Sequence, residues 1–476
     1  MFQLWSMEKN MTYDLKKLTE EFSKHLKLDD TKLMMLHTTL ATMLSRQMEG
    51  TPIWIIFVGA SGDGKSEITI SLDDKINTFM IHEITSNTLV SGFQKFKKVG
   101  RTHVKVNCDL APQLDNKVVL IPDMAQILKL HPNEKAKVWA QLRELYDGRA
   151  SKKTGNMEEQ KRYDNLRITL IACSTPAIDS QILIHQDLGT RELIFRTDYD
   201  EMDKKDNQGL MNKVWDNEGH EDLMRTSLKY AVSEFLKDRK IKKIDISSEV
   251  KEELESCVEV LRHLRATAEI DSFSGELISL VYPEQPTRAL KQLKRIFIAL
   301  KSLDNNYPDE LALQIIRHIV KSSCSFNRWL VLSGLTSFNG LEVSVNDLAQ
   351  KIKLGTKTIY RELNILWNLR LIDRIIRHKE YYGKSIDVQF WKFLDSPLNQ
   401  KIKELFSKTL EIPDTPDNKR GYSSPIYFSI RTFFIMKKEK KNNNIYMPSC
   451  QTVYHDTPDN KSSGLDLEKV QEEFSK

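Results

Sequence analysis

The chain has 476 residues, 40% of them apolar and 29% charged, with a formal net charge of +5. This balance suits a globular protein of roughly two to four domains with a sizeable core, and excludes a disordered or fibrous chain. Five scattered cysteines (Cys108, Cys173, Cys257, Cys324 and Cys450), with no C-x-x-C pair, argue against a zinc site or disulfide framework and for a reducing compartment. The N-terminal MFQLWSMEKNMTYDLKK is charged too early for a signal peptide, and the longest apolar runs are far short of a membrane span. The expectation is a cytoplasmic chain, nucleoid-associated or in a host cytoplasm, with no membrane partner.

Residues 1–49 place Leu18, Phe22, Leu26 and Leu28, then Leu33, Leu36, Leu40 and Met43, at helical spacing. They form either an independent bundle or a brace leading into the next domain. From 50 to 200 strand and helix patterns alternate, with strands expected at 53–58, 78–84, 117–121 and 167–173. That is the pattern of an α/β domain with a mostly parallel sheet flanked by helices.

The first of these strands runs directly into GASGDGKS, residues 59–66, with a helix expected from about Glu67. Strand, G-x-x-x-x-G-K-S and helix in that order are the P-loop pattern. Gly59, Gly62 and Gly64 are read as positive-φ positions that let backbone N–H groups converge on phosphates. Ala60, Ser61 and Asp63 complete the loop. Lys65 is expected to reach the β- and γ-phosphates of ATP, and the Ser66 hydroxyl to bind Mg²⁺.

Ligands of such sheets sit at the carboxyl ends of the strands. Asp123, closing KVVLIPD, is therefore expected to face the loop and hold the Mg²⁺ ion; capping the following helix is its other reading. RITLIAC ends in Ser174, between those two strand ends, where a hydroxyl can orient the attacking water. YDGRASKKTG at 146–155 sets Arg149, Lys152 and Lys153 among turn residues, with Asp147-Gly148 as a hairpin or turn former. It reads either as a DNA-contacting hairpin or as a solvated basic loop. In LGTRELIFR at 188–196, Arg191 and Arg196 flank an apolar stretch. They are either ordinary surface arginines or a guanidinium offered to a neighbour's γ-phosphate.

Residues 201–323 read as helices, with Arg288 opening one of them directly after Pro286 and Thr287, placed to reach back to the nucleotide. Residues 326–392 read as helix-turn-helix followed by a two-stranded wing. Thr356, Lys357, Thr358, Tyr360 and Arg361 of the second helix are candidate DNA contacts. Such modules also bind proteins. Residues 393–476 read as a flexible tail with DTPDNK twice and a KKEKKNNN run.

The ordered set GASGDGKS, TSNTLVSG, DLAPQLDNKVVLIPD, LRELYDG, LIACSTPAID, LGTRELIFR and EQPTRALKQL resembles AAA+ ATPases. The likeness is specifically to the phage and mobile-element helicase-like proteins related to minichromosome-maintenance helicases. The resemblance implies a P-loop AAA+ core with a helical lid and a winged-helix domain. It also implies a homo-hexameric ring on DNA, with ATP at subunit interfaces, Asp123 as Walker B, Ser174 as sensor 1, Arg191 as the trans arginine finger and Arg288 as sensor 2. One departure matters: Met124 stands where most of these enzymes carry a water-activating Glu, so Glu83, ending the second strand, is a candidate substitute. The expected function is an ATP-driven DNA motor, a helicase or replication initiator. A DNA-bound ATPase switch and a non-hydrolysing scaffold remain as alternatives.

Overall fold

Four short strands are buried along their whole length, which places the sheet they form in the middle of its domain. The computed structural model describes residues 13–91, 94–99, 102–107, 109–153, 160–179, 190–197, 204–266, 268, 271, 277–381 and 384–407. Strands β1 (Trp54–Val58), β2 (Thr78–Met80), β5 (Val118–Ile121), β8 (Thr169–Ser174) and β9 (Leu193–Arg196) form one sheet in the order β2-β5-β8-β1-β9. Every pairing in it is parallel. The fold class is therefore α/β. Sequence pattern alone missed the edge strand β9, because four residues flanked by arginines carry little periodic signal.

Side chains alternate between the two faces with the period of a strand. Ile55, Phe57, Leu120, Ile171 and Phe195 enter one core, and Trp54, Ile56, Val119, Ala172 and Ile194 enter the other. The second core is closed by α4 (Ala125–Lys129) and α5 (Pro132–Tyr146). The first is larger. It takes in α1 (Leu15–His25), α2 (Asp30–Ser45), the P-loop helix α3 (Lys65–Ile70) and the helices after the sheet.

Helix α2 is buried all round from Thr31 to Ser45 apart from Leu33, so the N-terminal segment is a brace inside the core. Its His37 ring meets the Tyr307 hydroxyl at 2.8 Å, and both are buried.

After the sheet come α6 (Lys204–Asn217), α7 (Glu221–Leu236), α8 (Ser248–Arg265), α9 (Pro286–Lys301) and α10 (Asp309–Ser322). They continue without a break into α11 (Phe326–Thr336), α12 (Val345–Ile352) and α13 (Thr356–Asn368). The turn between α12 and α13 is short, with Lys353 at φ 56. A three-stranded sheet follows in the order β10-β12-β11, from β10 (Val343–Ser344), β11 (Ile372–Tyr381) and β12 (Lys384–Phe393). Trp391 of β12 is fully buried and meets Tyr360 edge-on at 6.2 Å.

The segment expected to be a tail from 393 opens on a helix. Helix α14 (Pro397–Ser407) buries Ile402, Leu405 and Phe406 in the larger core, and its Lys401 reaches Glu253 of α8 at 2.7 Å. Both DTPDNK copies and the basic run lie outside the described residues.

Two antiparallel hairpins stand apart from both sheets: β3 (Gln94–Val99) with β4 (Thr102–Asn107), and β6 (Ala150–Lys152) with β7 (Lys161–Tyr163). The second occupies the expected basic segment. Asp147-Gly148, however, ends α5 and does not form the hairpin turn, which falls outside the described residues. The first hairpin was not expected.

Arg328 of α11 is completely buried. It bonds Glu362 of α13 at 2.9 Å and the Leu264 carbonyl of α8 at 2.7 Å, tying the C-terminal module to the helices before it. Arg328→Met should strand a buried carboxylate and cost about 3–5 kcal/mol, whereas Arg328→Met/Glu362→Met should recover most of it. Urea midpoints test this; a double variant as weak as the single one would contradict it.

Burial pushes the His37 imidazole down to about 4. The folded state therefore resists a proton that the unfolded state accepts below its ordinary 6.5. Stability should fall with pH between those values, by about 3 kcal/mol in total. Melting curves of wild type and His37→Gln should converge as pH falls through that window. A constant gap would refute the assignment.

Candidate nucleotide-binding site

The P-loop leaves β1 at the carboxyl edge of the sheet, and its first residue is held by the neighbouring strand: Gly59 N donates to the Ser174 carbonyl at 3.2 Å. Gly62 and Gly64 have φ of 80 and 87, the left-handed region that favours glycine. Gly59 is different. Its φ is not positive, and its requirement is space: a Cβ there would lie 1.8 Å from Thr197 Oγ1 and 2.5 Å from Asp63 Oδ2. Thr197, just beyond β9, donates to Asp63 Oδ2 at 2.7 Å and so ties the loop to the sheet's edge strand. Thr197 was not anticipated; no motif marks it.

Lys65 is buried. Its ammonium donates to the Ala60 carbonyl at 2.6 Å and to Asp63 Oδ1 at 2.7 Å. The cation is thus arched over its own loop. Ser61 is exposed at the loop's crest.

The Ser66 hydroxyl donates to the Pro122 carbonyl at 2.9 Å, which sets it beside Asp123. Asp123 is exposed, and one of its oxygens accepts the Ala125 N–H at 2.8 Å. It therefore holds the first N–H of α4 from one residue before the N-cap, Met124, and follows Pro122, the partner of Ser66. Ser174 is buried at the end of β8, and sheet order puts β8 between β1 and β5. Lys65, Ser66, Ser174 and Asp123 accordingly share the carboxyl edge.

A hydroxyl and a carboxylate are hard oxygen donors of the kind Mg²⁺ takes, with phosphate oxygens and water completing the shell. Among the described residues no group of three or more His, Cys, Asp or Glu forms a metal site of its own. Cys173 lies under the loop against Thr69 at 3.1 Å. Burial raises its thiol to about 12, so it is a packing group.

Met124 is buried in the smaller core, and its N–H donates to the Cys173 carbonyl. A side chain at that position points into apolar packing. Glu83 is exposed three residues beyond β2, whose last pairing with β5 is Met80 with Leu120. From the helices after the sheet, Arg225 of α7 makes a two-pronged bond to Glu67 of α3, at 2.7 and 2.9 Å, and was not anticipated either.

Arg191 and Arg288 are elsewhere. Arg191 precedes β9, and β9 carries the chain about 10 Å from Leu193 to Arg196 before it reaches the level of Val58. Arg191 therefore lies at the amino edge of the sheet, away from its own P-loop, where it pairs with Asp147 at 2.9 Å. Arg288 donates to the Thr190 carbonyl at 3.0 Å and stands with it. Within one copy Arg288 thus stands at the opposite edge of the sheet from Lys65. Arg288 lines a cleft of about 820 Å³ with Tyr146, Asp147, Arg167 and Lys291 among others, and Asp147, the partner of Arg191, is part of that lining. Arg196 is no surface arginine: it is buried, paired with Asp179, and donates to the carbonyls of Ser322 and Cys324.

Of the candidate DNA contacts, Arg149, Lys153, Thr356 and Lys357 are exposed, and Thr358 is half-buried. Lys152 bonds Asn87. Tyr360 is half-buried against Trp391, so it packs the hairpin, and Arg361 is half-buried. Among the described residues no helix is long and apolar enough to cross a membrane.

No protein-family model matches the chain, and no curated protein matches it.

Gly59→Ala tests the spatial argument. The added methyl must displace Thr197 and Asp63, with an expected cost of about 1–3 kcal/mol. Binding of a fluorescent ATP analogue should weaken in parallel. Unchanged stability and binding would show that the loop does not depend on this close approach.

Proposed function

We propose that this protein is an ATP-driven DNA motor of the AAA+ P-loop class, a helicase or replication initiator, that hydrolyses ATP between neighbouring copies of itself. The observation that carries the reading is the division of site residues between two edges of one sheet. Lys65, Ser66, Ser174 and Asp123 gather at the carboxyl edge, and Arg191 and Arg288 at the amino edge. A single copy cannot bring both sets to one phosphate. In a closed ring the amino edge of one copy faces the carboxyl edge of the next.

In this reading the loop N–H groups and Lys65 hold the β- and γ-phosphates, which the ammonium reaches by leaving the Ala60 carbonyl and Asp63. Ser66 and Asp123 hold Mg²⁺, which neutralises charge on the phosphates when bound. Ser174 orients the attacking water. Glu83 is the carboxylate offered as base, because the 124 position is closed to one. Arg191 of the adjacent copy, released from Asp147, stabilises charge developing on the γ-phosphate. Arg288 acts from the same copy as Arg191.

DNA binding is drawn from charge and shape. The 94–107 hairpin carries Lys95, Lys97, Lys98, Arg101 and Lys105 with no acidic residue, and the 149–163 segment adds Arg149, Lys152 and Lys153. The C-terminal module fits a winged helix, with Thr356 and Lys357 at the exposed start of α13. A second reading, a DNA-bound ATP switch that assembles without translocating, draws on buried Met124, since a site short of its usual base turns over slowly.

Lys65→Ala and Arg191→Ala should each lower DNA-stimulated ATPase turnover by at least about 100-fold, with Arg191→Ala leaving ATP affinity within a few-fold. Mixed together, the two inactive proteins should recover part of the activity, since some interfaces then pair intact Lys65 with intact Arg191. A fully active Arg191→Ala protein would refute the shared site. Strand displacement separates motor from switch: a switch hydrolyses ATP and unwinds nothing.

A further inference from the structure

Asp109 lies two residues after β4, and its carboxylate is completely buried. Its two oxygens serve different partners. Oδ1 accepts from the backbone N–H and the hydroxyl of Ser91, both at 2.9 Å. Ser91 stands just before β3, so these bonds close the base of the β3–β4 hairpin. Oδ2 accepts from Lys161 at 2.8 Å and from the Tyr163 hydroxyl at 2.7 Å, and both of those residues are on β7. One oxygen holds each hairpin. Further contacts run the same way. Lys152 of β6 bonds Asn87, and Gln141 of α5 donates to the Ser86 carbonyl at 2.8 Å. The second hairpin is thereby fastened to both flanks of the first, although the two share no sheet.

Burial of a carboxylate is costly unless its lone pairs are filled. Here burial alone would raise the acid, yet the bonds from Lys161, Tyr163 and Ser91 outweigh it and hold Asp109 below the ordinary carboxylate range. The charge is stabilised in place by four bonds.

We propose that Asp109 is a positioning residue that locks the two basic hairpins into one DNA-gripping unit, so that single-stranded DNA engages both together. This rests on the DNA-motor reading above. The unit takes a polyanionic strand: the first hairpin has five Lys and Arg and no acid, and the 149–163 segment beside it has Arg149, Lys152, Lys153, Lys161 and Arg162 against Glu158 and Glu159.

Asp109→Asn separates the two links. The amide oxygen still accepts from Ser91, whereas the amide nitrogen cannot accept from Lys161 or Tyr163. The change also removes a negative charge. Simple electrostatics then calls for tighter DNA binding, and loss of positioning calls for weaker binding. The sign of the effect decides between them.

The full-length protein is titrated with a fluorescein-labelled thirty-nucleotide oligo(dT) at several salt concentrations. Asp109→Asn should bind about 10-fold more weakly, with the slope of log K against log salt shallower by about 0.7 for each phosphate that is no longer neutralised. ATP KM and the DNA-free ATPase rate should be unchanged. Tyr163→Phe should show a smaller shift in the same direction, and adding it to Asp109→Asn should weaken binding no further, as expected for one shared link. Equal or tighter binding by Asp109→Asn overturns the proposal. If Asp109→Asn does not fold, Tyr163→Phe decides alone: unchanged oligo(dT) affinity and slope overturn the proposal, and a weaker, shallower titration supports it. A wild-type protein that binds no oligo(dT) overturns the proposal together with the DNA-motor reading, whereas wild-type binding with unaltered variants overturns the proposal only.

Discussion

A parallel sheet buried on both faces leaves polar chemistry nowhere to go but its edges, and the rest of this molecule follows from that. Strands β1, β5, β8 and β9 are apolar on both sides, so each can present a polar group only where it ends. Because all run the same way, their carboxyl ends form one edge. Gly59, Ser174 and Asp123 are therefore neighbours, although they span residues 59–174 of the chain. The Ser66–Pro122 and Gly59–Ser174 bonds fasten this edge across strands that share no direct ladder or only one.

The same directionality separates the arginines. Arg191 enters β9 and Arg196 leaves it, and the few residues between them decide their fates. Arg196 reaches the interior and is consumed by Asp179 and two carbonyls from the α10–α11 junction. Arg191 stays at the amino edge beside Arg288, with Gln292 of α9 donating to its carbonyl. Buried guanidinium groups recur as braces: Arg328 does for the C-terminal module what Arg196 does for the sheet edge. Charge in this chain is thus divided between internal cross-links and exposed basic elements, which a net charge of +5 does not reveal.

Local signals were legible and distant ones were not. The P-loop, the apolar strands before Asp123 and Ser174, the α12–turn–α13 pair and the long β11–β12 hairpin each declare themselves within about twenty residues, by motif or by period. Gly59 was legible as a required glycine but for the wrong cause, since its constraint comes from Thr197, far along the chain. The β3–β4 hairpin alternates lysine with apolar residues, a pattern read as a polar connection. Arg196, Thr197, Arg225 and Asp109 take their meaning from partners more than fifteen residues away, and nothing in their own surroundings marks them. Helix α14 was lost because its apolar positions are diluted by lysines that snorkel over the core.

The strand register also bears on Met124. Beyond β5 the backbone stays pinned to β8 through the Met124–Cys173 bond, and the side chain at 124, at the start of α4, packs into the smaller core that also takes Val119 and Ile121. Placing a carboxylate there means either burying it among Trp139, Leu142 and their neighbours or breaking the bond that aligns Asp123 with Ser66. The absence of an acid at 124 is thus a consequence of how this edge is packed. In the proposed hydrolysis the base comes from an adjacent strand end, and the neighbouring strand β2 leads to exposed Glu83. On the proposed hydrolysis, the packing at the end of β5 thus directs the proton of an attacking water toward an adjacent strand end.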